Sequence, residues 1–350
     1  MLTCKTLTSR FASAAIGAAV LVAGVLQPAA AQDAPRTLCI YDPIGANGFI
    51  YQSFQDYVVQ ALSWGIKLDT RAYTDEAVAA NDFKAGKCDM AGLTGIRTIQ
   101  YVKFAGSLDM AGGLQSYAQE KTAIQVMSSP KAAQYMTQDG YEVVGVVPLG
   151  KAFLFARDKT NLESLDTIAG KKIAVMSYDK QASTLANVAG ASPVGASIAS
   201  FGPMFNNGSV DLAYAPSFAY NALELYKGLG SNGAIADFVL GMLSGQLIIH
   251  DDKFPADFGQ KSRTWVFDNM FDSTLRRVKS ADQQIPEKYW LHISGDRDAN
   301  YREMFRDTRQ RLWDQNWYNH RMQHLLKKIR CSTDSGLAEC GQDSEGGSVN

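Results

Sequence analysis

The chain has 350 residues, 46% of them hydrophobic, with 34 Lys plus Arg against 35 Asp plus Glu. So close a balance gives no electrostatic footprint for nucleic acid or for an anionic membrane surface. The length suits two domains of ordinary size, each able to bury a core.

Lys5 and Arg10 form a short positive stretch, Ala14 to Val25 is apolar but too short to cross a bilayer, and Ala29-Ala30-Ala31 supplies small residues before Gln32. The pattern predicts a signal peptide over 1–31, cleaved near Ala31, and export to the periplasm. No Cys closely follows the apolar stretch, so a lipid anchor is not expected. Loss of Lys5 and Arg10 leaves the mature chain at a charge of about −3.

The mature chain writes one segment twice. Asp82-Phe83-Lys84-Ala85-Gly86-Lys87-Cys88-Asp89-Met90-Ala91-Gly92-Leu93-Thr94 and Met204-Phe205-Asn206-Asn207-Gly208-Ser209-Val210-Asp211-Leu212-Ala213-Tyr214-Ala215-Pro216 share one reading. Each is a helix end, a Gly stop, a short apolar strand with an early Asp, and a new helix start. Each also lies downstream of a strand-like run, Leu38 to Tyr41 and Lys172 to Met176. The chain is thus expected to carry two β-α-β-α-β units with a cleft between them.

In unit one the strand Leu38–Tyr41 leads into a turn-forming loop, Asp42 to Gly48, and a helix over 51–64 with Phe54, Val58 and Leu62 on one face. Ile66–Tyr73 reads as a second strand. Thr74 is the expected N-cap of a helix that stops at Gly86. A strand through Cys88–Ala91 and a helix from Thr94 follow. Val143–Leu149 is a further strand, and Phe153–Ala156 is expected to cross towards the second unit.

Unit two uses the strand Ile173–Met176, a helix after Tyr178, a strand at Ala191–Val194, a helix through Met204 and Phe205, and the repeated strand Val210–Ala213. Val239–Ile249 contains a return strand. A long C-terminal helix is expected over 300–329, with Tyr301, Met304, Phe305, Leu312, Leu325, Leu326 and Ile329 at helical spacing. The Gly- and Ser-rich tail reads as disordered.

The fold class is therefore α/β, with two doubly wound domains, a ligand cleft between them and that C-terminal helix. The expected layout is domain I, first part, over 32–150; domain II over 151–245; the return strand to domain I and C-terminal helices over 246–330; and a disulfide-tied flexible tail over 331–350. No stretch of the mature chain is apolar enough for a membrane pump: its longest uncharged run, Gln181 to Val210, is rich in Gly, Ser, Asn and Pro.

Four cysteines survive cleavage, and four allow three pairings, with free thiols as the alternative. Cys331 and Cys340 flank a short polar turn, which favours their pairing and leaves Cys39 with Cys88. Those two lie on the first and third strands of unit one, which are neighbours in a doubly wound unit. A metal site is poorly supported, because no Cys-x-x-Cys pair exists.

Ala169-Gly170-Lys171-Lys172-Ile173-Ala174-Val175 resembles the Gly-Lys-Lys-Ile strand entry of the periplasmic solute-binding proteins of TRAP (tripartite ATP-independent) transporters. Gly190-Ala191-Ser192-Pro193-Val194 and then Asn207-Gly208-Ser209-Val210-Asp211 are similar to their later pattern in the same order. Cys39-Ile40-Tyr41-Asp42, Lys87-Cys88-Asp89, Tyr226-Lys227-Gly228-Leu229-Gly230 and Lys253-Phe254-Pro255 bring the chain closer to the AdeT-type solute-binding proteins.

The resemblance covers most of the mature chain. It implies a periplasmic-binding-protein fold, a small organic solute and membrane transporter subunits as partners. One departure matters. TRAP binding proteins usually place after Gly-Lys-Lys-Ile an Arg that pairs with a ligand carboxylate, and here that position is Ala174.

Ligands of such folds meet the carboxyl ends of strands and the helix starts beyond them. Asp42, Asn47, Thr94 and Arg97 are the candidates from unit one, with Arg97 suited to the bidentate contact vacated at Ala174. Tyr178, Asp179, Tyr214 and Tyr220 are those from unit two, since tyrosines wall a pocket and still donate a hydrogen bond. Asp89 and Asp211 occupy matching places and read as structural. His320 and His324 stand four apart as metal ligands can, but no third ligand accompanies them.

No cofactor motif, Gly-x-Ser-x-Gly, His-Glu-x-x-His or phosphate loop appears, which disfavours an enzyme. The expected function is capture of a small organic solute, a carboxylate, for a transporter. The alternative is a sensor or envelope interaction protein on the same fold.

Overall fold

The computed structural model describes residues 34–349; the expected signal peptide, its cleavage site and Cys4 lie outside them. The first apolar run becomes strand β1 (Arg36–Tyr41), whose Leu38, Cys39 and Ile40 are fully buried. β1 pairs in parallel with β2 (Leu68–Tyr73) on one side and β3 (Met90–Thr94) on the other. The helix expected over 51–64 forms as two, Phe49–Ser53 and Gln55–Ser63, which meet at Phe54. Helix Glu76–Lys84 is capped by Asp75 rather than Thr74, because the Asp75 carboxylate accepts the free N–H groups of Ala77 and Val78.

A two-residue β4 (Thr137–Gln138) precedes β5 (Tyr141–Ala156), a single strand of 16 residues where two strands are expected from the sequence. The second repeat then folds like the first. β6 (Lys172–Met176) pairs in parallel with β7 (Ser192–Ala196) and β8 (Leu212–Pro216). β2-β1-β3 and β7-β6-β8 have the same order, each built around its first strand. The repeated Gly stops take the left-handed conformation that only Gly adopts cheaply, at φ 72° for Gly86 and 83° for Gly208.

β9 (Ala234–Asp237) pairs with the end of β5. β10 (Gly241–His250) runs antiparallel between β3 and β5 and so returns the chain to the first half. β11 (Trp290–His292) adds to β9. The two repeats are thus halves of one sheet, joined by β5 and β10. Opposite Leu243 and Ser244 the register shifts at Leu149, between Pro148 and Gly150, so β5 carries a bulge where the halves meet.

Two helical features go beyond the expected layout. Phe258–Asp282, a helix of 25 residues, buries Val266, Met270, Phe271 and Val278, a spacing that lays one face on β5. Each such side chain contributes roughly 1.5–3 kcal/mol on burial. The long C-terminal helix is instead two, Asp296–Asp314 and His320–Thr333. The chain reverses between them through Asn316 in the left-handed region (φ 49°), which lets Tyr318 turn fully inward.

Disulfides join Cys39 to Cys88 and Cys331 to Cys340, the pairing favoured from the sequence. The tail beyond Cys340 is held in place despite its composition. Arg309 and Arg330 are almost wholly buried and pair with Glu339 and Glu345, while Lys327 Nζ donates to the carbonyls of Gln342, Ser344 and Gly347 at 2.7–2.8 Å. Charges made complementary only in space outweigh a polar, flexible sequence. Among the described residues no helix is long and apolar enough to cross a membrane, and no cluster of His, Cys, Asp and Glu has metal-site geometry.

Candidate ligand-binding site

The carboxyl ends of β1, β3, β6 and β8 point towards one region, where the helices that follow them begin. After β1, the Asp42 carboxylate accepts N–H bonds from Ile44 (2.9 Å), Ile50 (2.8 Å) and Tyr51 (3.1 Å). It thereby fixes the loop and the start of helix Phe49–Ser53. It fits only because Gly48 lacks a side chain: a Cβ there would lie 1.9 Å from the carboxylate. Asn47 sits on the exposed outer side of this loop.

Thr94 ends β3 and caps the short helix Gly95–Thr98 by accepting the Arg97 N–H. Its own N–H donates to Glu76 Oε1 at 2.6 Å. The other oxygen of Glu76 accepts the Tyr178 hydroxyl, also at 2.6 Å, from the opposite half. The Arg97 guanidinium stacks 3.4 Å above the centre of the Tyr178 ring. Arg97 is only 7% exposed, and its Nε and Nη2 are buried without a hydrogen-bond partner among the described residues. A buried guanidinium in that condition forgoes hydrogen bonds that water would supply.

On the second half, Asp179 caps helix Lys180–Val188 through the Ala182 N–H (2.9 Å) and accepts the Tyr214 hydroxyl (2.7 Å). Burial raises the pKa of Asp179, although these bonds oppose it. Burial also pushes up Tyr178 and Tyr214, reinforced by Glu76 and Asp179 respectively, so both stay phenols and donate.

Three cavities lie in a row here. A mouth of about 280 Å³ is lined by Asp75, Glu76, Arg97, Ser177, Tyr178 and Ser197. A central chamber of about 90 Å³ is walled chiefly by Tyr41, Ile50, Leu149, Phe201 and Phe218, and shares Glu76 and Tyr178 with the mouth. Beyond Asp179 and Tyr214 lies an inner chamber of about 80 Å³, lined by Leu154, Ile173, Leu212 and Met304. Asp109 also borders it, and burial pushes its pKa up to about 8 against the bonds it accepts from Ser244. At neutral pH it is therefore largely uncharged.

Of the residues singled out in the sequence, Thr94, Arg97, Tyr178, Asp179 and Tyr214 come together around these cavities, with Asp42 behind them as a loop anchor. Asn47 and Tyr220 do not join them; Tyr220 packs against Tyr226 and Tyr289. Glu76 is marked in the sequence only as an acidic residue early in a helix. His320 stacks on Trp313 at 3.5 Å, and His324 Nδ1 lies 3.1 Å from the Glu345 carbonyl.

The family model described as solute-binding protein AdeT 1/2 matches residues 63–345. The chain is 40% identical over 306 residues to a probable solute-binding protein, AdeT1, of Acinetobacter baumannii, covering 87% of this chain and all of that protein. It is 24% identical over 235 residues to AdeT2 of the same organism, covering 67% of this chain and 98% of that one. Among solved structures it resembles a TRAP periplasmic solute-binding protein from Desulfovibrio salexigens with bound orotic acid, at TM-score 0.68 and 12% identity over 85% of this chain and 97% of that one. A second such protein, from Rhodoferax ferrireducens with bound malonate, gives TM-score 0.66 and 16% identity over 86% and 99%. The fold and the family expected from the sequence motifs are both found.

Proposed function

This chain belongs to the AdeT 1/2 family of solute-binding proteins, and from that premise we propose that it captures a small organic carboxylate in the cleft between the halves of its sheet. It does so in the periplasm, after signal-peptide cleavage near Ala31, and presents the solute to membrane transporter subunits. The observation that carries the carboxylate is Arg97. Its buried, unpartnered Nε and Nη2 call for an acceptor, and a carboxylate supplies two in one plane. The acids bound by solved proteins of this fold support the reading.

The two halves act as the two domains, and the bulge at Leu149 is the place where they flex towards each other. The protein binds and releases its solute unchanged, a reading supported by its family. Thermal-shift screening of the mature protein against carboxylates, amino acids and aromatic acids tests the proposal. A true ligand at a hundred times its Kd adds about 2.7 kcal/mol of stability. No stabilisation by any acid in a broad library overturns it, and turnover of a recovered solute, read by mass spectrometry, overturns its role as a pure carrier.

A further inference from the structure

The mouth holds two opposite charges that do not satisfy each other. Among the described residues Arg97 makes no ion pair, and neither does Glu76, although Glu76 is only 2% exposed. They flank the same side chain: Arg97 lies over the Tyr178 ring, and Glu76 accepts the hydroxyl at that ring's tip. Each Glu76 oxygen receives one hydrogen bond and keeps a further lone pair. Glu76 is also the acidic group that borders both the mouth and the central chamber, while Asp179 lies on the far wall, already bonded to Tyr214.

A simple carboxylate seated on Arg97 would lie close to the Glu76 charge, and like charges brought together away from water repel strongly. An ammonium group on the same solute removes that repulsion, because it finds an acceptor in Glu76 while the carboxylate meets Arg97. The central chamber then receives whatever else the solute carries. Its walls are chiefly carbon and its volume, about 90 Å³, has room for a compact group. A sugar acid would bury hydroxyls there with few partners, whereas a branched aliphatic group would not.

We propose that the solute is a zwitterion, an α-amino acid with a compact apolar side chain. Its carboxylate lies on Arg97, its ammonium on Glu76 and its side chain between Ile50, Leu149, Phe201 and Phe218. This inference rests on the carboxylate reading above and narrows it.

Calorimetry on the mature protein with three probes decides it: L-leucine, its deaminated analogue 4-methylpentanoate, and its decarboxylated analogue 3-methylbutylamine. Leucine is expected to bind, and each analogue to bind at least ten-fold more weakly. Glu76→Gln is expected to weaken leucine at least ten-fold while leaving 4-methylpentanoate unchanged or improved. Equal or tighter binding of 4-methylpentanoate by the wild type overturns the zwitterion and leaves the carboxylate reading standing. Absence of binding by all three overturns the zwitterion too, and the broader acid screen then decides the carboxylate reading separately. Should Glu76→Gln fail to fold, the wild-type series is sufficient by itself to separate these outcomes.

Discussion

Asp89 and Asp211 make the same two bonds in the two halves of the sheet. Asp89 accepts the Thr37 N–H through its carboxylate and donates its own N–H to the Thr37 carbonyl, and Asp211 does both with Lys172. Each ties the start of one strand to the foot of its parallel neighbour. The matching places in the repeated segment therefore reflect a shared way of fastening β1 to β3 and β6 to β8. Asp89→Ala and Asp211→Ala should each lower stability by about 1.5 kcal/mol, the low end for a bond to a charged acceptor, since both carboxylates retain contact with solvent. The halves do not share these contacts, so the double variant should add to within about 0.5 kcal/mol in urea unfolding. A markedly non-additive result would contradict the independence of the two fasteners.

The disulfides should differ in weight. The Cys39–Cys88 bridge closes a separation of 49 positions and Cys331–Cys340 one of 9. Loop entropy then assigns about 4 kcal/mol to the first and about 2.5 kcal/mol to the second. Paired Cys→Ser variants compared by denaturant unfolding read the difference directly. Equal losses would mean that native packing, not loop closure, sets the stabilisation.

Arg97→Ala should weaken carboxylate binding by roughly 2–5 kcal/mol, with Arg97→Lys recovering part because Lys lacks the planar fork. The ligand-free protein should change by less than about 1 kcal/mol, since lost stacking on Tyr178 is offset by removal of an unpartnered buried cation. Calorimetry with thermal melts of the same samples separates the two effects. Unchanged affinity in Arg97→Ala rules out its role.

Stability should fall in acid through the C-terminal clamp. Burial alone would raise the Glu345 carboxyl, but Arg309 and Arg330 outweigh it and hold it down at about 2, from an ordinary value of 4.5. A depressed acid stabilises the fold above its unfolded pKa, and that stability is lost as pH falls from about 4.5 towards 2. It amounts to on the order of 3 kcal/mol. Glu345→Gln should flatten this limb of a Tm-against-pH curve while lowering Tm at pH 7. An unaltered acid limb would count against the clamp.

Asp109 has the opposite sign. Its carboxyl is raised by burial to about 8 from 3.8, so the folded state holds a proton that the unfolded state has released. Stability contributed by this group is full below about pH 4 and is lost as pH rises through 8. Asp109→Asn, uncharged at every pH, should reduce the loss between pH 6 and 9, measured by thermal melts. A variant that loses stability as steeply as the wild type would show that another group titrates.

The strands and their repeat are legible because each rests on a local signal, an apolar run bounded by a Gly stop. The Cys39–Cys88 bridge follows from the strand order those signals imply. Glu76 is not legible as part of the site, since its meaning lies in a hydroxyl 102 positions away. Helix Phe258–Asp282 is masked because charged residues interrupt its apolar face. The tail misleads for a related reason: its composition is that of a flexible chain, and only the folded molecule brings two buried arginines to Glu345. Thr94 and Arg97 can be read from the sequence because a cap and the helix it starts are neighbours in it.

β5 runs unbroken from the first half into the second, and β10 lies antiparallel along it up to the junction, so the two strands form one ribbon there. Such a ribbon twists readily about its own length, yet it resists sliding, which would break its rungs together and turn every side chain to the wrong face. The cleft closure proposed above would then follow chiefly one angular coordinate, the twist of this ribbon. A membrane partner that touches both rims would need to sense only one angle to tell a loaded protein from an empty one.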